Sequence, residues 1–211
     1  MATVPYTQWQ PFIQVYVPDC PMALIIEAVR QACIEFCQNS RYWRYELDAF
    51  YTVATDAEYE LTPPTDSTIA DILLIKVNKE QLEPKTQDDL EVIYNEWREQ
   101  NGKPKYFFMR DKTNMVLVPI PDAAYPIRLL VSLKPTQTAQ GVDELVFEEH
   151  KEAIKFGALA YLMMMPNVAW SNPNGSIFYQ QQFEEKTNAA KVKAERGENL
   201  RKSFRVKANY F

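Results

Sequence analysis

Helical patterning in this chain occurs in separate stretches, with a strand-like pattern between them. Residues 21–40 carry apolar side chains at three- and four-residue spacing, which is typical of an amphipathic helix. The same spacing returns over residues 143–165 and 173–196. Short β-branched and aromatic runs bounded by Pro, Asn and Asp occupy residues 47–135 or so, a pattern typical of strands. The sequence therefore predicts an α+β fold, with a bundle of about three helices split by a β-rich insert.

This pattern also predicts two domains in a chain of 211 residues, 46% of them apolar, which is enough to bury a core. The helical domain would combine residues 1–46 and 136–211, with an N-terminal arm and a basic C-terminal tail. The inserted domain would be residues 47–135. We expect residues 1–19 to be mostly extended, and Trp9 to lie in an arm that needs a neighbouring subunit to cover it.

One short helix is expected inside the β-rich region, covering one face of its sheet. Thr86 followed by Asp89 resembles a capping box, although Asp replaces the usual Glu or Gln. A helical stripe follows it, and Gly102 is a suitable stop. The stripe consists of Leu90, Ile93, Tyr94 and Trp97.

The ends of the bundle helices follow cap and proline signals. Pro21 suits the first turn of the first helix, with Asp19 or Cys20 at the cap position. Asp143 or a neighbour starts the next helix, and Asn172 before a proline starts the last one. The segment Phe156–Met165 is apolar all round except for one tyrosine hydroxyl, so it must be covered on several sides.

Charge is distributed unevenly along the chain, whose net charge is −5. Residues 186–211 contain eight Lys and Arg against two Asp and Glu, and residues 1–185 contain 15 against 26. This is an acidic body with a basic tail. A basic end on an acidic body favours contact with an acidic partner, either protein or nucleic acid, although a solvated helix end would look the same.

Cations and aromatic residues alternate in that tail. Such a segment can bind nucleic acid through phosphates and stacking, or dock into a groove of a protein partner. The acidic body favours protein docking. The candidate partner-binding residues are Arg196, Arg201, Lys202, Phe204, Arg205, Lys207, Tyr210 and Phe211.

No catalytic, cofactor-binding or metal-binding residue is predicted, so we expect no enzymatic activity. His150, the single histidine, is expected to lie on a solvated helix face, and no Ser-His-Asp triad forms without it. No Walker A or Gly-x-Ser-x-Gly sequence occurs. Cys20, Cys33 and Cys37 favour buried free thiols in a reducing compartment. Abundant carboxylates leave a glycosidase-like acid pair as a weaker alternative.

Two helical stretches resemble those of tailed-bacteriophage head-to-tail adaptor proteins, also called head completion, neck or tail tubular proteins. The first resembles the first helix of these proteins and comprises Leu24–Cys37 (LIIEAVRQACIEFC) with Trp43 after it. The second resembles their second core helix and its turn, and comprises Glu152–Ala160 (EAIKFGALA), Pro166, Trp170, Asn172 and Pro173. The layout agrees over nearly the full chain, and the large β insert is similar to the podovirus-type adaptor.

The resemblance implies a structural virion protein that forms a homo-oligomeric ring, typically of about twelve subunits, beneath the portal. The helical bundles would pack side by side, the C-terminal tail would reach the portal protein, and the β-rich part would face the tail or nozzle proteins. Phage DNA would pass non-specifically through the channel. Assembly in the host cytoplasm, a final place at the head–tail junction and no membrane contact are expected. The alternative is a small nucleic-acid-binding or regulatory module that acts through the basic tail.

Overall fold

The computed structural model of the protein describes residues 3–93 and 96–196, with the side chain of Ile93 left out. A 3-10 helix, Tyr6–Trp9, precedes five α-helices in this part of the chain. The α-helices are α1 (Gln10–Gln14), α2 (Met22–Ser40), α3 (Gln87–Ile93), α4 (Glu144–Met163) and α5 (Pro173–Arg196). The mixed α+β class is confirmed.

Ten strands form three sheets in the described residues. The strands are β1 (Thr3–Pro5), β2 (Arg44–Tyr51), β3 (Glu58–Glu60), β4 (Ser67–Val77), β5 (Glu80–Gln81), β6 (Glu83–Pro84), β7 (Tyr106–Met109), β8 (Asn114–Val118), β9 (Pro126–Pro135) and β10 (Gly141–Asp143). The first four-stranded sheet has the order β2-β9-β4-β5 and the second β3-β8-β7-β6, while β1 pairs with β10. Pairing is antiparallel except between β6 and β7.

One continuous apolar core joins the helices to the first sheet. Helix α2 packs against α4, α5 and strand β9, and α4 packs along α5. Buried residues from α2, such as Phe36, belong to the same cluster as Val131 on β9 and Leu159 on α4. In chain order, β2 to β9 lie between α2 and α4. The division into a helical domain and an inserted domain stays a prediction.

A second, smaller cluster lies under α3. Leu90 of α3 packs with Phe108, Val116 and Val118 of the second sheet, as expected for a helix that covers one sheet face. Trp97 belongs to the same cluster but lies in a turn, not in the predicted helical stripe, because α3 is Gln87–Ile93. The predicted capping box is present: the Thr86 backbone N–H donates to Asp89 Oδ2 at 3.0 Å, and the Asp89 N–H donates to Thr86 Oγ1 at 3.1 Å. Asp therefore serves here in place of the usual Glu because its carboxylate still reaches the cap N–H.

The N-terminal arm is not mostly extended, contrary to the sequence prediction. Only β1 is a strand, and residues 6–14 are helical. Trp9 is fully buried within its own chain, where its Nε1–H donates to the Lys151 carbonyl oxygen at 3.1 Å and its ring meets Phe147 edge-on at 4.7 Å. A neighbouring subunit is therefore not required to cover Trp9.

Helix starts follow the predicted residues in two of three cases. Asp143 caps α4 by accepting from the Leu145 N–H, and Asn172 Oδ1 accepts from the Gly175 N–H at 3.0 Å at the start of α5. At α2 the prediction of Asp19 or Cys20 is wrong. The cap residue is Pro21 and no side chain bonds to the helix start, because the chain enters α2 from a turn in which the Cys20 N–H donates to Val17.

Candidate assembly interface

An apolar concavity lies between α2, α4 and α5, and we call it the helical groove. Its volume is about 530 Å³. Small residues form its floor, larger apolar residues its walls, and polar residues its rim. The lining consists of Gln31, Ala32, Glu35, Gly157, Ala160, Tyr161, Met164, Met165, Ser176, Ile177, Gln180 and Gln181.

The depth of the helical groove depends on the small residues in its floor. A Cβ added at Gly157 would lie 3.0 Å from the Ala32 Cβ and 3.0 Å from the Phe183 ring. The absence of a side chain at Gly157 therefore lets α4 pack closely against α2 and α5 at this point. Ser176 is buried, and its hydroxyl donates to the Ala160 carbonyl oxygen at 2.7 Å. The floor is therefore closely packed and its one buried hydroxyl is satisfied.

The walls of the groove leave large apolar side chains in solvent. Tyr161, Met164 and Ile177 are 49%, 57% and 53% exposed. The sequence predicted that the apolar segment 156–165 must be covered on several sides. The described residues cover Ala158, Leu159 and Leu162 but leave Tyr161 and Met164 exposed on the groove side. A contiguous apolar surface of this kind marks an interaction site.

Glu35 lines one edge of the groove, and Glu184, one turn after the lining residue Gln180 on α5, is its acidic neighbour. Burial raises the pKa of the Glu35 carboxyl, and the nearby Glu184 carboxylate raises it further. Neither forms an ion pair within residues 3–93 and 96–196, although the Gln180 amide donates to Glu184 at 3.0 Å. This edge of the groove therefore favours a cationic group.

The other end of the same helices is closed. Lys193 pairs with Glu149 at 2.7 Å and Lys186 with Glu152 at 3.0 Å, which joins α5 to α4. His150 lies there, and the prediction of a solvated histidine is wrong. Its ring is 4.9 Å from that of Phe36 and 4.1 Å from that of Tyr42, because α4 kinks at His150 (φ −130°, ψ 17°) and turns the imidazole inward.

That environment holds the imidazole neutral. Burial lowers the pKa of His150 to about 4; Lys193 contributes to the lowering, and Glu149 opposes it. Nε2 is buried and has no hydrogen-bond partner among the described atoms. The ring therefore acts as an apolar packing element at neutral pH.

Of the eight predicted partner-binding residues, Arg196 alone lies in the described part of the chain. It is exposed in the last turn of α5, where a cation interacts favourably with the helix dipole. Arg201, Lys202, Phe204, Arg205, Lys207, Tyr210 and Phe211 lie outside the described residues, as does Gly197, which the sequence predicts as the helix stop. Tail docking stays a prediction.

A second concavity, of about 300 Å³, lies at one end of the first sheet. Lys76 on β4 is the direct cross-strand partner of Arg128 on β9, and Lys79 lies in the following turn. None of the three forms an ion pair with a described residue. Like charges directly opposite each other are unfavourable, so this cluster favours an anion.

The described residues show few features of a catalytic or metal-binding site. No group of three or more His, Cys, Asp or Glu among them is placed to hold a metal ion. Cys20, Cys33 and Cys37 are buried and unpaired, and burial raises the pKa of each thiol, which keeps the thiols protonated at neutral pH. None of the helices described is both long and apolar enough to cross a bilayer.

Comparison with known families identifies the class of protein to which these surfaces belong. The model of the SU10 adaptor protein family matches residues 12–206, which is nearly the whole chain. The chain therefore belongs to the SU10 adaptor family, a family of phage head-to-tail adaptors. No curated protein matches the chain.

Membership of this family makes the chain a structural component of a phage virion that interacts with other phage head or tail proteins. The role that the family implies is structural and not enzymatic. The resemblance seen in Leu24–Cys37 and Glu152–Ala160 is thus confirmed, and both segments line the helical groove.

Proposed function

We propose that this protein forms a ring of about twelve subunits that joins the portal of the phage head to the tail and lines the DNA channel. The helical part of each subunit would pack against its neighbours. The β-rich part would face the tail or nozzle proteins. DNA would pass without sequence-specific contact, which an acidic body permits because like charge repels phosphate.

The observation that supports this proposal is the half-exposed apolar surface around the helical groove. Tyr161, Met164 and Ile177 would be covered in a ring by a different surface of the next subunit, because a closed ring uses heterologous contacts. Because the chain belongs to a family of phage adaptors, we expect this surface to contact another protein of the virion.

Electron cryomicroscopy of the chain mixed with the portal protein of its own phage tests this function. We expect a ring of subunits docked on the portal, with the helical groove covered by the adjacent subunit. Absence of any complex with the portal and with the tail proteins would refute the proposal.

A charge substitution in the groove tests the interface itself. Ile177→Glu places a carboxylate in an apolar contact and should abolish ring formation, because burying an unpaired charge is costly. Val92→Glu is the matched control, since Val92 is 88% exposed on α3, away from the groove. Rings formed equally well by both variants would place the interface elsewhere.

The basic tail is proposed to dock on the portal through Arg196, Arg201, Lys202, Phe204, Arg205, Lys207, Tyr210 and Phe211. Deleting residues 198–211 should leave the fold intact, because the described core contains none of them. Portal binding should weaken. Unchanged portal affinity after the deletion would show that the tail is not the docking element.

A nucleic-acid-binding module is the second candidate, and the Lys76, Lys79 and Arg128 cluster is the described feature that favours it. Phosphate contacts release counterions, so binding to DNA or RNA would fall steeply as salt rises. A titration of the isolated chain with duplex and single-stranded DNA and with RNA at low salt distinguishes the candidates. Absence of binding would remove this alternative.

A further inference from the structure

The helical groove and the C-terminal segment of the same chain have complementary chemistry. We propose that in the free protein residues 197–211 fold back along α5 and bind in the helical groove of their own chain. The occupant is thus a segment of this chain, and the site is the concavity between α2, α4 and α5. Neither the portal nor the ring is needed for this contact.

The apolar part of the groove fits aromatic side chains. Its walls include Met164, Met165 and Ile177, and a volume of about 530 Å³ can hold more than one aromatic ring. Residues 197–211 contain Phe204, Tyr210 and Phe211. Methionine sulfur makes favourable contacts with aromatic rings, and its flexible side chain adapts to a ligand that enters the groove.

The charged edge of the groove fits the same segment. Glu35 on α2 and Glu184 on α5 lie close enough to raise the pKa of Glu35, and neither has a cation within ion-pair distance in the described residues. Residues 197–211 supply four cations, at Arg201, Lys202, Arg205 and Lys207. A cation between the two carboxylates would remove their repulsion, and it would sit beside an aromatic ring in the groove.

The segment is long enough to reach the groove in its own chain. The groove contacts α5 near Ile177 and Gln180, about 17 residues before the helix ends at Arg196, which is roughly 26 Å of helix. Residues 197–211 can span up to about 50 Å when extended. About half of that length is therefore free for the reversal at the end of α5 and for contacts in the groove.

Occupation by the tail would regulate assembly, a consequence that rests on the proposed ring function. The tail would cover Met164 and Ile177 until the portal binds it, and its withdrawal would then expose the groove to the next subunit. Rings would form on the portal and not in free solution.

A spin label on the tail tests the contact in the full-length free chain. Asn209→Cys provides one accessible thiol, because Cys20, Cys33 and Cys37 are buried. With methyl-labelled protein, we expect the label to remove the NMR signals of the Met164 and Ile177 methyl groups and to leave those of Val92 intact. Groove methyl signals unaffected by the label would overturn the proposal.

Two controls decide where the tail binds and in which chain. Ile177→Glu should release the tail and restore the Met164 signal, whereas Val92→Glu should not. A Met164 signal that stays lost in the Ile177→Glu chain would refute binding in the groove.

In the second control, isotope-labelled chain without spin label is mixed with spin-labelled chain of natural isotope content. Loss of groove signals in this mixture would show exchange between chains and would also overturn the proposal. Because no portal is present, these results are independent of whether the chain forms rings.

Discussion

The two ends of the α4–α5 pair differ in how far the chain itself completes them. At one end, ion pairs from Lys186 and Lys193 join the helices, and His150 packs between Phe36 and Tyr42. At the other end, the same two helices leave the apolar walls of the helical groove in solvent. The closed end is complete within one chain, and the open end is available to a partner.

This difference arises although both ends use apolar residues at helical spacing. The closed end has aromatic residues from α2 and the segment after it, which cover the inner face of α4. At the open end, α2 contributes the small Ala32, and Gly157 and Ala160 face it from α4. Small residues bring the backbones close but cover little surface, so larger neighbours such as Met164 remain exposed.

The sharpest test of the comparison uses two phenylalanines on α5. Phe183→Ala removes a fully buried ring that packs at Gly157, and we expect it to lower the free energy of unfolding by about 3–5 kcal/mol. Phe178→Ala is the matched control on the exposed face of α5, outside the groove lining, and should change it by no more than about 0.5 kcal/mol. Urea denaturation measures both values, and equal losses for the two variants would contradict the difference in burial between the two rings.

The closed end should be sensitive to acid through His150. Its pKa is about 4 in the folded chain against 6.5 in the unfolded chain, so the unfolded state takes up the proton first. Stability is therefore complete above pH 6.5 and falls as pH decreases from about 6.5 to about 4. Because the ring is half-buried and screened by solvent, we expect a loss of about 1–2 kcal/mol over this range.

His150→Phe removes the titrating group and keeps a ring between Phe36 and Tyr42. Unfolding by urea at pH 7 and at pH 4.5 should show a smaller stability loss in this variant than in the wild type. Lysine partners lower the pKa of Glu149 and Glu152 from the usual 4.5, so their ion pairs are lost mainly below pH 4.5. Equal acid losses in the two proteins would contradict the role given to His150.

The smallest expected effect concerns the ion pair that joins α4 to α5. A double-mutant cycle with Glu152→Gln and Lys186→Met should give a coupling energy of about 0.2–1 kcal/mol, because the pair is largely exposed and screened. The coupling should decrease in 1 M salt. A coupling that persists in high salt would indicate that packing, and not charge, joins the helices at this end.

Local signals predicted the ends of most elements correctly. Thr86 and Asp89 form the predicted capping box, and Asn172 caps α5 as expected. Spacing predicts a buried α5 stripe of Tyr179, Phe183, Thr187, Ala190 and Ala194; the last four are buried, and Tyr179 is half-buried. These features depend on residues within one or two turns of one another, so spacing is enough to identify them.

Two of the wrong predictions, for Trp9 and His150, concern residues whose environment comes from distant parts of the chain. The sequence predicts that Trp9 needs a neighbouring subunit to cover it, yet its partner Lys151 in the same chain is 142 residues away. His150 was assigned to solvent because glutamates surround it in sequence, and the kink in α4 that turns it inward has no periodic signal. The sequence also did not predict the helical groove, because the groove depends on which side of α4 the other helices leave uncovered.

The sequence alone determined the α+β class, the cap residues of α3, α4 and α5, most of the buried stripe of α5 and the resemblance to phage adaptors. Only the tertiary structure decided that Trp9 is buried and His150 half-buried, that α2, α4 and α5 leave an apolar groove, and that Glu35 and Glu184 approach each other near its edge. The physical reason is how far apart in the chain the interacting residues lie. Caps and periodicity arise from contacts between near neighbours in the chain, whereas burial and carboxylate repulsion depend on residues that only folding brings together.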